Sequence, residues 1–399
     1  MKVSFRHIAW FAWAVLISCS GNDVAEPTPP QQLMPISIVG GLQSERQETR
    51  AGERGLEEVL TGEKKFKLFG YKNDAFEAPN YTSYQVVMPN YDVCWIANSA
   101  YTTNSNTNDW EYVGQGTDQD IKYWDFGAKA YRFFGYAMGN ATASPATSPA
   151  AVSVPGGFPT GTSTTAATSV TFSANVNASS DATIAAAPYF SQLWFSTGNP
   201  SDYPDRQFGQ PVQLKFLKPF ARVRFLFTFV NDLTFGREKL SHIRFYPTKP
   251  ATGPAPTIAT AGTVSVTYPL QGTETTETWT TSNTTGINAF TVDYYEMPSP
   301  VPAGYPVDAQ ATSWPNTPEK WYTVLPNASQ GSYTLEVAVV SDEVKTAIVP
   351  AEYMQWKPGF QYTYKFKITE TGGITMDIIQ VAINDWGNRQ SSQHTVYNW

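Results

Sequence analysis

The chain has 399 residues, with 27 Lys and Arg against 34 Asp and Glu, for a formal net charge of −7. That balance, with no basic cluster, excludes the electrostatic footprint nucleic acid requires. Only Cys19 and Cys94 are present, which excludes a multi-cysteine metal site, while 29 Pro and 28 Gly suit a loop-rich β protein more than a helical one.

The opening MKVSFRHIAWFAWAVLISCS places Lys2 and Arg6 before an apolar run from Ile8 to Ile17. This is a signal peptide over residues 1–18, too short to remain as a spanning helix. Leu16-Ile17-Ser18-Cys19 resembles a bacterial lipobox, which makes Cys19 the lipidated first residue and the outer membrane the first attachment. Acyl chains on Cys19 would hold the protein at a membrane surface. Removing residues 1–18 takes two basic residues from the 27 and no acid from the 34.

SGNDVAEPTPPQQLMP follows, a Pro-rich polar tether. Met34, Ile36 and Ile38 then alternate with Pro35, Ser37 and Val39, predicting a short strand from Met34 to Leu42. Beyond it, QSERQETRAGERG carries Arg46, Arg50 and Arg54, the first basic residues after the signal, and no large apolar side chain between Leu42 and Leu56. Such a segment is exposed, and exposed polar connections are where proteases cut.

The rest reads as β structure, with one short helix predicted over Gly52 to Leu60. Tyr362, Tyr364, Phe366 and Ile368 share a face opposite Thr363, Lys365 and Lys367, a period of two. Ala221, Val223, Phe225, Phe227 and Phe229 do the same within one long strand predicted from Leu217 to Phe229. Leu335, Val337 and Val339 repeat the pattern, and strands around 122–136 and 374–383 are apolar on both faces, as central strands are. Two stretches, Phe133 to Asp205 and Pro250 to Glu319, hold no Lys or Arg, so neither offers a trypsin-like protease a site. A boundary near Pro211 divides the chain into 1–18 signal, 19–50 propeptide with the first strand, 51–210 and 211–399.

Taken in order, the lipobox, the early strand with its arginine segment, KYWDFGAKAYRFFGYA, PVQLKFLKPFARVRFLFTF and the closing WKPGFQYTYKFKITETGGITMDIIQVAINDWGNRQSSQHTVYNW resemble the fimbrillins of Bacteroidetes. The resemblance covers nearly the whole chain. It implies an all-β fold of two transthyretin-like β-sandwich domains with long loops, and a structural role in a fimbrium. It also implies export as a lipoprotein, a cut after an arginine by an arginine-specific protease, loss of the first strand, and its replacement by a strand from another fimbrial subunit. Arg50 is the first candidate because small Ala51 and Gly52 follow it; Arg46 and Arg54 are second and third. The donor strand in the pilins comes from the C-terminus. Here Thr395, Val396, Tyr397 and Trp399 form an extended tail, which serves either as that donor or as an edge strand folded back on its own domain.

Catalysis is not expected. Outside the signal only His242 and His394 remain, no G-x-S-x-G elbow is present, and Cys94 between Val93 and Trp95 reads as a core thiol. No cofactor or metal is expected either. The competing reading is a surface lipoprotein that stays anchored and binds glycan or a host ligand. It would need Trp110, Trp279, Trp314 and Trp321, which sit in polar settings, to line up on one exposed face.

Overall fold

A computed structural model describes residues 33–42, 55–78, 80–96, 109–143, 146–159, 162–163, 167–229, 240–292, 321–326, 331–339, 344–368, 374–382 and 395–398. The fold is all-β. Among the described residues the α-helices are Leu56–Val59 and Asp181–Ala186, so the helix predicted over 52–60 is a single turn. No helix among them is long and apolar enough to cross a membrane.

A nine-stranded sheet runs in the order Ile38–Leu42, Val212–Leu217, Tyr189–Ser191, Ala130–Ala137, Lys65–Asn73, Tyr84–Trp95 and Thr162–Ser163, with Trp194–Thr197 and Trp110–Glu111 added beside it. Alternation along its strands buries both faces. One face carries Ile38, Phe66, Leu68, Phe133, Leu214 and Phe216. The other carries Phe69, Tyr71, Phe134 and Phe190, packed against Phe172, Val264, Val266 and Tyr268 of a four-stranded sheet. That second sheet has the order Val152–Ser153, Ser169–Asn177, Ile258–Pro269, Thr278–Ile287.

A further pair of sheets encloses a separate core. Tyr322–Val324, Ala221–Phe229, Phe360–Ile368, Ile374–Ala382 and Thr395–Asn398 make a five-stranded sheet, and Phe290–Val292, Leu240–Pro247, Tyr333–Val339 and Val344–Val349 a four-stranded one. Phe225, Phe245, Phe290, Tyr333, Leu335, Tyr364 and Phe366 fill the space between them.

Three features depart from expectation. The strand predicted from Leu217 to Phe229 is two strands in different sheets, interrupted at Lys218–Phe220, where Pro219 has no N–H to give to a ladder. The strand predicted around 122–136 begins only at Ala130. Sheet pairing also runs across position 211: Val212–Leu217 lies between Ile38–Leu42 and Tyr189–Ser191, and Ile258–Pro269 returns from the C-terminal half to pair with Ser169–Asn177.

The junction at Lys218 is buried. Lys218 Nζ donates to the carbonyls of Ala185, at 2.9 Å, and Ala187, at the end of the 181–186 helix, and lies 4.0 Å from the centre of the Tyr189 ring. Burial holds its ammonium well below the usual lysine range. Arg132, fully buried in the nine-stranded sheet, donates to the Asn73 side chain and to the carbonyls of Gly272, at 3.0 Å, and Glu274, at 3.4 Å. It thereby ties the turn after Ile258–Pro269 to the first sheet.

Candidate functional site

The site is the seat of the first strand. Ile36 and Ile38 are both 0 % exposed and belong to the core on one face of the nine-stranded sheet. Burying two isoleucine side chains fully contributes roughly 3 to 6 kcal/mol. Met34, one alternation earlier, is instead 44 % exposed, because at that point the chain has reached the sheet's rim beside Gly209.

Backbone pairing holds the segment along both sides. Ile38–Leu42 runs parallel to Val212–Leu217, with Ile38 opposite Val212 and Leu42 opposite Phe216, and the Val212 N–H donates to the Ser37 carbonyl at 2.9 Å. On the other side the Ile36 N–H donates to the Lys122 carbonyl at 2.8 Å, and the Trp124 N–H to the Met34 carbonyl at 2.9 Å. Tyr112, fully buried, completes this flank: its hydroxyl donates to the Ile36 carbonyl at 2.9 Å and accepts from the Lys122 N–H at 3.0 Å. Burial raises the Tyr112 hydroxyl well above its ordinary pKa, so it stays protonated and able to donate.

Gly40 explains how closely the strand sits. A Cβ built there would lie 2.8 Å from the Phe66 ring and 3.3 Å from the Trp110 ring, so backbone rests directly on two aromatic faces. Those rings are themselves packed, with centroids 5.0 Å apart, and Phe66 meets Phe216 at 5.0 Å. Removing 34–42 would therefore expose the backbone edge of Val212–Leu217 and a floor of Phe66, Trp110 and Phe216. An unpaired edge over an apolar floor is a template for another strand.

The strand's exit is also fixed. Gly41 bridges to Gly55, so the chain is drawn together on the two sides of segment 43–54. Leu56, fully buried, then anchors the 56–59 helix against the same core. Arg46, Arg50 and Arg54 lie in that segment, outside the described residues, as does Cys19.

At the other end of the chain, Thr395, Val396 and Tyr397 form the strand Thr395–Asn398, antiparallel to Ile374–Ala382 at the edge of the five-stranded sheet, with Asp377 opposite Asn398 and Ile379 opposite Thr395. Trp399 lies outside the described residues. In this structure the tail lies as an edge strand of its own sheet.

Other sequence candidates fall apart in space. Trp110 is core, at 1 % exposure, and Trp279 is half-buried against Phe190, with centroids 5.9 Å apart. Trp321 is half-buried with the Arg224 guanidinium 4.6 Å from its ring, and Trp314 lies outside the described residues. Cys94 is half-buried rather than core, and burial, then Asp92, pushes its thiol up, away from nucleophile chemistry. Among the described residues no group of three or more His, Cys, Asp or Glu is placed to hold a metal. Tyr112 and Gly40 are the site residues that sequence reasoning missed.

No protein-family model matches the chain, and no curated protein matches it. Solved structures do align over most of its length. A candidate cell adhesion protein from Bacteroides uniformis aligns at 12 % identity and TM-score 0.32, over 88 % of this chain and 98 % of that one. One from Bacteroides ovatus aligns at 13 % and 0.34, over 90 % and 99 %. The fimbrial anchor protein Mfa2 from Porphyromonas gingivalis aligns at 8 % and 0.30, over 92 % and 99 %. At identities and TM-scores this low, none of these likenesses assigns the chain a role.

Proposed function

We propose that the protein is a structural fimbrial subunit of the cell surface, exported as a lipoprotein on Cys19, cut after an arginine in segment 43–54, and polymerised by donor-strand exchange in support of adhesion. Its partners on this reading are other fimbrial subunits, an arginine-specific protease and, before processing, the outer membrane. The observation that carries it is the first strand itself. Ile38 opens the edge strand Ile38–Leu42 and Ile36 lies two residues before it, both fully buried, and the pair Gly41 and Gly55 brackets the three arginines directly behind them. A cut there leaves the first strand held to the body only by its burial and backbone pairing, so that another strand can replace it.

The physics needs no other energy source. Exchanging one strand for another restores the backbone ladder and the apolar burial together. The test is the N-terminal sequence and intact mass of the protein recovered from the surface of the cells that make it. The proposal expects an N-terminus at Gln47, Ala51 or Gly55 in assembled material. A mature protein that retains Cys19 and residues 20–42 in the assembled fraction would overturn the processing step.

A further inference from the structure

The backbone bonds that hold the first strand are blind to its sequence. The Tyr112 hydroxyl on the Ile36 carbonyl, the Val212 N–H on the Ser37 carbonyl and the parallel ladder to Val212–Leu217 would form with any extended chain. Whatever selects a replacement strand therefore lies in the face turned to the core. That face carries positions 36, 38 and 40, because side chains alternate along a strand. Ile36 and Ile38 fill the first two places, and Gly40, also buried, leaves the third without a side chain.

A Cβ at position 40 would lie 2.8 Å from Phe66 Cε1 and 3.3 Å from Trp110 Cε2 and Cζ2. Carbon atoms in ordinary contact sit about 3.5 to 4.0 Å apart. Both rings are held in place: Phe66 packs on Phe216, with centroids 5.0 Å apart, and Trp110 on Trp95, at 5.3 Å. Phe66, Trp110 and Phe216 are each buried, and an interior packed this closely transmits a displacement instead of absorbing it.

Gly41 supplies the contrast. It lies opposite exposed Lys215, whereas Gly40 lies opposite buried Leu214, and a Cβ at position 41 would meet nothing within 4 Å. Neither glycine has a positive φ, so the backbone at both places suits an L-residue and the space beside it makes the difference.

We infer that the seat of the first strand selects its occupant by an aromatic wall at the place of Gly40. The fitting strand carries two large aliphatic side chains two residues apart, and two residues further on it carries glycine or has already ended. This wall matters to function only on the strand-exchange reading proposed above, whose incoming strand it specifies. Any larger residue at that place must push Phe66 off Phe216 or lift the strand from its ladder with Val212–Leu217.

The test takes the full chain, cut in segment 43–54 by an arginine-specific protease, at a sub-denaturing urea concentration so that the resident strand can leave. Fluorescein-labelled peptides of residues 34–42 are added, and capture is read by fluorescence anisotropy. The native peptide and its Gly41→Ala form should bind within about threefold of each other, and the Gly40→Ala form at least about tenfold more weakly. Equal binding by all three overturns the inference and leaves strand exchange standing. No capture of the native peptide overturns strand exchange and the inference with it. The uncut protein gives a second arm, in which Gly40→Ala should lower the urea midpoint and Gly41→Ala should not. A Gly40→Ala chain that unfolds at the wild-type midpoint means there is no wall, whatever the peptides do.

Discussion

Ile38→Ala probes the seat of the first strand most sharply. Ile38 is 0 % exposed, and its strand is paired with Val212–Leu217. The substitution deletes three carbons, at about 0.8 kcal/mol each, and leaves a cavity under a strand pinned at both ends, for a total of about 3.5 kcal/mol. In the uncut protein this is lost from the free energy of unfolding, read by urea denaturation. After a cut in segment 43–54, the same loss acts on a strand no longer tethered at its exit. Its retention should weaken by about 300-fold, since each 1.4 kcal/mol is tenfold. The assay is chromatographic separation of the excised peptide from the cut body, followed over time for both proteins. Loss of stability in the uncut variant with unchanged retention after cutting would refute the reasoning, because it would mean Ile38 is not what seats the strand.

Tyr112→Phe removes the hydroxyl between the Ile36 carbonyl and the Lys122 N–H, and should cost about 1 to 3 kcal/mol by leaving buried groups unpaired, measured by denaturation of the uncut protein. Arg132→Met strips donors from the Gly272 and Glu274 carbonyls, so hydrogen exchange should rise in the turn at 271–274, with about 2 to 4 kcal/mol lost. Lys218→Met concerns pH. The folded pKa of Lys218 is depressed by burial below the usual 10.5, so the unfolded chain binds more protons between the two values. Wild-type stability should therefore gain a rising component with pH across that window, up to about the unfolded value, and Lys218→Met should lack it when the two denaturation series are compared.

Much of the architecture was legible because period-two alternation is a local signal. Tyr362, Tyr364 and Phe366 are core as their spacing implies, and so are Ile36 and Ile38. What alternation cannot state is which sheet a strand joins. Nothing local to Ile258–Pro269 says that it pairs with Ser169–Asn177 rather than with its chain neighbours. The break at Lys218–Phe220 was readable in Pro219, but the flanking apolar runs masked it. Trp110 looked loop-like because its neighbours are polar, although it packs beneath Gly40. Tyr112 gave no signal, since its role depends on two carbonyl and amide groups that only the fold brings to it.

The central claim is that cutting the arginine segment frees a strand and opens a groove that another subunit's strand fills. The most direct measurement is a time course of purified protein with an arginine-specific protease, followed by intact mass and size-exclusion chromatography, with and without excess synthetic peptide of residues 34–42. The account predicts loss of the N-terminal segment, growth of a ladder of oligomers, and suppression of that ladder by the peptide. A cut body that stays monomeric with its first strand still bound, or a ladder indifferent to the peptide, would contradict it.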